Sequence, residues 1–332
     1  MTEAAPSNEL AIDARDLHKD FRAVKAVDGV SLEVAKGEVF GLVGPDGAGK
    51  STLIRMLATT LAPTSGDAYV FGKSVISQPH DVKPRIGYMS QAFSLYGDLT
   101  VTENLRFFAE LRGVPRHDMA TRSKRLLEFS GLTEFEKRQA RFLSGGMKQK
   151  LALAATLISE PDLLFLDEPT TGVDPVSRRE FWRIISDLHQ QGITVFVATP
   201  YMDEADRCNE IAFMTQGRII LRDTPAGMKR RVPGRILEVA VPNYREAMPV
   251  VRSMPFVKSV EVSGELLRVL VAREEECEDA EGRLGRALAD AGFTVEHMRP
   301  SPTDLEMAFA TLIPAAGDHL SDADEPTAAV TA

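Results

Sequence analysis

Val39-Phe40-Gly41-Leu42-Val43-Gly44-Pro45-Asp46-Gly47-Ala48-Gly49-Lys50-Ser51-Thr52 is the stretch that decides the fold. Its first five residues form a near-continuous apolar run, the pattern of a strand buried in a parallel sheet. The remaining nine fit G-x-x-x-x-G-K-[ST], and behind them Leu53, Ile54, Leu57 and Leu61 recur at helical spacing. In a strand, glycine-rich loop and helix, backbone N–H groups curl round a polyphosphate. The helix points its positive end at the same anion. Lys50 is spaced to reach the outer phosphates, and the Ser51 hydroxyl to hold Mg2+.

Further along, Leu163-Leu164-Phe165-Leu166-Asp167-Glu168 reads as a strand ending in two adjacent carboxylates. That places them at the carboxyl edge of an open α/β sheet, where ligands bind. Asp167 suits the Mg2+ shell, and Glu168 suits a base that polarises water toward a γ-phosphate. Standing alone, such a pair would equally cap the next turn; a phosphate loop in the same sheet favours the chemical reading. Leu143-Ser144-Gly145-Gly146-Met147-Lys148-Gln149-Lys150 opens an apolar helix (Leu151, Ala154, Ala155, Ile158) with a second anion-facing N-terminus. By itself this is a common N-cap. A second phosphate-facing helix start makes sense if it serves a partner's nucleotide.

Around these landmarks the chain divides by pattern. Residues 1–9 are a loose polar lead, and Leu10 to Val34 alternate as half-buried strands. Residues 100–158 are helical in pattern. Between 162 and 216 strands and helices alternate, with Arg178 to His189 a helix, Thr194 to Thr199 a strand and Thr215-Gln216-Gly217-Arg218 a hairpin turn. Such alternation predicts a mostly parallel sheet with helices on its faces. Pro225, Gly227, Pro233 and Gly234 mark a break, and Lys229-Arg230-Arg231 within it reads as a solvated linker charge run. Strands at 236–241, 256–262, 266–272 and 293–298 and helices at 244–253 and 279–291 then give a βαββαβ order, the signature of a small ferredoxin-like domain. The expected division is a main domain over 10–228 (helical subdomain about 92–158), an accessory domain over 229–313 and a disordered Ala/Asp/Pro-rich tail over 314–332.

Composition narrows the function classes. Of 332 residues, 44% are hydrophobic and 26% charged, enough for a sizeable core. A formal charge of -9 has the wrong sign for binding nucleic acid through the overall field. Cys208 and Cys277 lie far apart without metal-ligand spacing and read as ordinary thiols in a reducing cytoplasm. The six histidines form no metal-spaced cluster, and His189 suits the C-terminal end of a helix. No run approaches the roughly 18 to 20 apolar residues of a membrane span, and the N-terminus carries no signal-peptide pattern. Any work at a membrane is expected to go through another chain.

Together the three motifs resemble the ATP-binding cassette of ABC transporters over residues 10–225 or so. The resemblance implies a P-loop NTPase cassette with a mostly parallel core sheet, an N-terminal antiparallel β subdomain and a helical subdomain. In that family two cassettes sandwich ATP between one subunit's phosphate loop and the other's signature. Gly44 to Thr52 then matches Walker A, Leu163 to Asp167 Walker B, Glu168 the catalytic glutamate and Leu143 to Met147 the signature. Gln91, in Tyr88-Met89-Ser90-Gln91, matches the glutamine that contacts Mg2+ and the attacking water and leads to the transmembrane partner. Asp174 matches the D-loop. Phe21 stands where the family places an adenine-stacking aromatic, the alternative being a plain core phenylalanine. The resemblance further implies ATP and Mg2+ as cofactors, with transmembrane permease subunits and a second cassette, identical or different, as partners. It puts the chain at the cytoplasmic face of the membrane, held there by the permease through residues such as Ala92 to Leu105.

One position departs. The switch histidine that donates to the γ-phosphate should follow the strand Thr194 to Thr199, and Pro200 stands there instead. Proline has no side-chain donor and no backbone N–H, so slow hydrolysis is expected at this site unless Thr199 or a rotated Gln91 substitutes. The Gly-Pro-Asp-Gly loop and the stretch Thr-Pro-Tyr-Met-Asp-Glu-Ala are similar to those of ABC-2 type exporters, among them drug-resistance ATPases. The rivals are a soluble ABC ATPase acting on ribosomes or DNA and a regulatory module that binds ATP without driving transport. The single phosphate loop, the lack of sustained heptads between Lys50 and Ser144 and the acidic charge disfavour the first; Pro200 gives weight to the second.

Overall fold

Alternating and continuous apolar runs sort the chain into different sheets. A computed structural model describes residues 10–92, 95–273 and 279–321, with backbone only for 314–321. The lead 1–9, Cys277 and residues 322–332 lie outside these described residues. Alternating residues build β1 (Leu10–Phe21) and β2 (Val24–Ala35), joined by a turn in which Arg22 has φ +53°. Val30, Leu32 and Val34 point inward while Ser31, Glu33 and Ala35 are exposed. With β4 (Ser65–Val70) and β5 (Lys73–Ser74) these strands form an antiparallel sheet in the order β2-β1-β4-β5.

The continuous runs form the second sheet. β3 (Val39–Val43) leads through the phosphate loop into α1 (Lys50–Leu57). After α2 (Pro79–Val82) comes β6 (Ile86–Met89), and later β7 (Leu163–Asp167) and β8 (Thr194–Thr199). These strands are parallel; β9 (Glu210–Thr215) is parallel to β3, and β10 (Arg218–Asp223) folds back on β9. The order is β10-β9-β3-β8-β7-β6. Every residue of β3, β7 and β8 is buried, as expected of strands covered on both faces. Phe196 stacks on Phe40 at 5.2 Å and lies 5.8 Å from Phe165, tying the three middle strands together through their side chains.

Between β6 and β7 the chain is helical: α3 (Val101–Leu111), α4 (Arg116–Ser130) and α5 (Gly145–Leu157). A capping box between Thr100 and Glu103 starts α3, and Gly131 with φ +67° ends α4. α6 (Pro175–Gln190) follows β7, and the short α7 (Met202–Ala205) follows β8. This is the expected α/β cassette, with its antiparallel β part, parallel core sheet and helical part.

A second compact unit starts at Pro225. It contains α8 (Pro225–Arg231), β11 (Arg235–Ala240), α9 (Tyr244–Arg252), β12 (Val257–Ser263), β13 (Leu266–Val271), α10 (Ala280–Asp290), β14 (His297–Ser301) and α11 (Leu305–Ser321). The fully antiparallel order β12-β13-β11-β14 on a βαββαβ chain is the ferredoxin-like topology expected. Its core packs Leu237, Val239, Leu267 and Val269 against Ala247, Val251, Leu284 and Leu288 of α9 and α10. On the opposite face, Arg268 pairs with Asp304 at 2.6 Å and the Ser259 hydroxyl meets Met307 of α11, so α11 lies over that face.

Three readings of this unit need correction. Lys229-Arg230-Arg231 form the last turn of α8, where cations favour the helix dipole, rather than a linker, although Arg230 and Arg231 are solvent-exposed as expected. The last strand runs His297–Ser301 instead of 293–298, its pairing including Pro300 opposite Leu237 on a sheet edge that tolerates proline. α11 continues through Ser321, past the expected start of a disordered tail at 314. Among the described residues no helix is long and apolar enough to cross a membrane.

Candidate functional site

The phosphate loop is held from behind by two other strands. Gly49 has φ +103°, and a Cβ there would stand 2.1 Å from the Ala26 carbonyl of β2; at Gly44 it would stand 2.1 Å from the Met214 carbonyl of β9. Both positions therefore require glycine. The Gly217 N–H of the β9–β10 turn donates to the Ala48 carbonyl at 3.0 Å and fixes the loop's far side. Pro45, Asp46 and Gly47 form its exposed tip; Ala48 is buried and Thr52 half-buried in α1.

Lys50 is 4% exposed, and its Nζ donates to the Gly44 and Pro45 carbonyls at 2.7 and 2.8 Å. Burial pushes its pKa down, opposed by the carboxylates of Glu168, Asp46 and Asp167. Ser51 Oγ, one residue on, donates to Asp167 Oδ1 at 2.8 Å, bringing α1 and the end of β7 together. Asp167 is fully buried, and its Oδ2 has no hydrogen-bond partner. Burial raises its pKa, with the Ser51 bond acting against that rise. A hydroxyl beside a buried carboxylate oxygen lacking a partner is the hard donor set that Mg2+ takes, so these residues fit that ion.

Glu168 is 8% exposed and holds φ +49°, a left-handed conformation rare outside glycine. Its N–H donates to the Ala198 carbonyl of β8 at 2.9 Å. Its Oε2 accepts Gln91 Nε2 at 2.9 Å and the Thr171 hydroxyl at 3.2 Å. Lys50, Ser51, Asp167, Glu168 and Gln91 thus meet at the C-terminal ends of the parallel strands. Beyond Gln91, Asn104 is fully buried and fixes the following loop, accepting from Tyr96 N and donating to the Tyr96, Leu99 and Thr100 carbonyls. Residues 93 and 94 of the expected partner-facing stretch Ala92 to Leu105 lie outside the described residues.

Phe21 is 48% exposed at the end of β1, with Lys19 Nζ 5.3 Å from its ring centre, so it is not a core residue. Ser144 caps α5, accepting from Met147 N at 3.3 Å. Gly145 is exposed, whereas Gly146 packs so closely on α6 that a Cβ would stand 2.3 Å from Ser177 Oγ. Asp174 caps α6, accepting from Val176 N and Ser177 N at 3.0 Å each; Ser177's bonds hold its carboxyl below the usual range. Two helix N-termini therefore lie side by side. Among the described residues no hydrogen bond or ion pair joins Ser144–Gly146 to the phosphate loop.

Pro200 is half-buried directly after β8. The preceding Thr199 hydroxyl donates to Glu204 Oε2 at 2.6 Å, which commits the proton it would need in order to substitute for the missing histidine. The roles of Thr170, Thr171 and Glu204 were missed in the sequence because their partners lie on other segments.

The ABC transporter family profile matches residues 27–171. The probable multidrug ABC transporter ATP-binding protein YbhF of Escherichia coli (strain K12) is 45% identical over 221 residues, covering 67% of this chain and 38% of its own length. The chain thus spans less than half of that relative. The daunorubicin/doxorubicin resistance ATP-binding protein DrrA of Streptomyces peucetius is 43% identical over 69% of this chain and 70% of its own. The daunorubicin resistance ATP-binding protein DrrA2 of Streptomyces coeruleorubidus is 38% identical over 89% and 93%. Among solved structures, cbiO1 of Clostridium perfringens, part of the ABC transporter complex cbiONQ, superposes with a TM-score of 0.62 at 27% identity, over 67% of this chain and 92% of that one.

Proposed function

Because the chain belongs to the ABC transporter family of ATP-binding proteins, we propose that it is the ATP-hydrolysing, energy-coupling subunit of an ABC-2 type exporter. It works with transmembrane permease subunits and a second cassette, a copy of itself or a different one, at the cytoplasmic face of the membrane. One observation carries the reading. Asp167, buried at the end of β7, gives one oxygen to Ser51 and leaves the other without a partner, next to the phosphate loop. The names of the daunorubicin-resistance relatives support export of a drug-like small molecule.

Each residue then has a task. Lys50 exchanges its loop carbonyls for the outer phosphates of ATP, which the backbone from Gly44 to Thr52 cradles. Ser51 and Asp167, with Gln91, hold Mg2+, which when bound supplies charge that neutralises the phosphates. Glu168 takes a proton from the attacking water, and Gln91, already bonded to Glu168, orients that water. Phe21 stacks on adenine. Ser144, Gly145 and Gly146 close on the partner cassette's nucleotide, with Asp174 at the seam between the two. Pro200 offers no donor to the γ-phosphate, so closure survives and turnover is slow. Pro200 also favours a second reading, a regulatory ATPase that binds ATP without driving transport.

Pull-down from detergent extract tests the assignment. A permease and a cassette should travel with the chain, and Mg-ATP should raise its melting temperature. A chain that ignores Mg-ATP and brings down no permease overturns the reading. A chain that binds Mg-ATP yet brings down no permease selects the regulatory one.

A further inference from the structure

Glu204, on α7, is 1% exposed and has no task among those above. A charge so deeply buried persists only when it is paired and hydrogen-bonded. Its Oε1 accepts the Thr170 hydroxyl, its Oε2 accepts Thr199 Oγ1 at 2.6 Å, and Arg178 Nε of α6 stands 3.7 Å from Oε1. Thr170 lies two residues after Glu168. Thr199 follows Ala198, whose carbonyl accepts the Glu168 N–H at 2.9 Å. The carboxylate therefore closes a ring through both chain segments that flank Glu168.

That ring matters because of the Glu168 backbone. A glutamate at φ +49° keeps its conformation only where the surroundings over-determine it. Gln91 and Thr171 restrain the tip of its side chain. The Thr171 N–H also donates to the Glu168 carbonyl at 3.3 Å and holds the far side of that residue's main chain, whereas the ring holds its N–H side.

We propose that Glu204 is a positioning residue for hydrolysis: through Thr170 and Thr199 it braces the left-handed backbone of Glu168 and so aims the Glu168 carboxylate at water. The inference rests on the ATPase reading above. Arg178, also 4.2 Å from the Tyr201 ring centre, ties the same brace to α6 and the segment after Pro200.

The test uses the full-length chain with Glu204→Gln, Thr170→Val (isosteric, without the hydroxyl) and Thr170→Ser (hydroxyl kept). Amide hydrogen exchange over residues 168–171 and 198–201 in nucleotide-free protein is read first. Glu204→Gln and Thr170→Val should exchange at least several-fold faster there and be unchanged elsewhere in the cassette. In steady-state ATPase assays both should lower kcat about 10- to 100-fold, the cost of a misplaced catalytic group, with KM for Mg-ATP within about two-fold. Thr170→Ser should restore the wild-type values, and the double variant should lose no more than either single one. Unchanged exchange in 168–171, or kcat and Mg-ATP binding lost in parallel, overturns the proposal. Should Glu204→Gln not fold, the contrast between Thr170→Val and Thr170→Ser decides. A wild-type chain that ignores Mg-ATP sinks the ATPase reading alone, since the exchange experiment reports on the brace without nucleotide.

Discussion

Pro200 stands where the family pattern breaks, and the adjacent Thr199 hydroxyl is not free to stand in, because it donates to Glu204. A lost charge-assisted contact to the transferring group slows such reactions by about 10²-fold. Pro200→His, measured in the permease-coupled complex, should therefore raise ATPase turnover well above wild type; unchanged turnover counts against the donor argument. Asp167 offers a pH test. Burial raises its carboxyl pKa, so the folded chain holds that proton more tightly than the unfolded chain. Ionising it costs stability, which is greatest below the unfolded value and falls as pH rises through the window up to the raised one. Mg2+ needs the ionised form, so its affinity should rise across the same window. Asp167→Asn removes the buried charge and keeps an acceptor for Ser51. It should raise the nucleotide-free melting temperature by about 2–4 °C, the shift roughly 1 kcal/mol gives a domain of this size, and abolish the further rise with Mg-ATP. An unaltered melting temperature with the Mg-ATP response intact would contradict the assignment.

Among the elements, the starts of α5 and α6 pack closely beside the site. Gly146→Ala would drive a methyl into Ser177, an overpacking worth about 1–3 kcal/mol. Mg-ATP binding to the isolated chain should persist while cooperative turnover of the assembled pair falls, and adding Ser177→Gly should restore it. Loss of Mg-ATP binding by Gly146→Ala would instead mean that α5 supports its own subunit's pocket. Elements were legible where their determinants are consecutive. Val39 to Thr52 announces a strand, loop and helix, and Leu163 to Glu168 a strand with a functional end, because the chemistry follows the chain. The brace around Glu168 was not legible, since Thr170 and Glu204 are brought together only by the alignment of β7 and β8. β14 starts four residues later than its sequence pattern suggests and takes in Pro300, which a sheet tolerates only at its edge. α11 was not read from the sequence, and its residues from 314 were assigned to a disordered tail on their alanine, aspartate and proline content.

On the scale of the whole molecule, the composition argued correctly for a large core, and the order of elements for two kinds of sheet. The unit from Pro225 has its own hydrophobic core. Residues 225–321 produced alone should melt cooperatively and give dispersed methyl resonances; a broad, non-cooperative transition would show that the unit needs the cassette. The side of its β-sheet away from α9 and α10 meets the start of α11 at Ser259 and Met307, and Leu305, Met307 and Ala308 of α11 are buried. Anyone shortening the gene to obtain a tidier expression clone should thus leave codons through 321 in place. A stop inserted ahead of Leu305 would take Met307 off the sheet face it meets at Ser259 and leave Asp304, the partner of Arg268, at a frayed chain end, and the truncated product would be a sticky, precipitation-prone protein rather than a cleaner one.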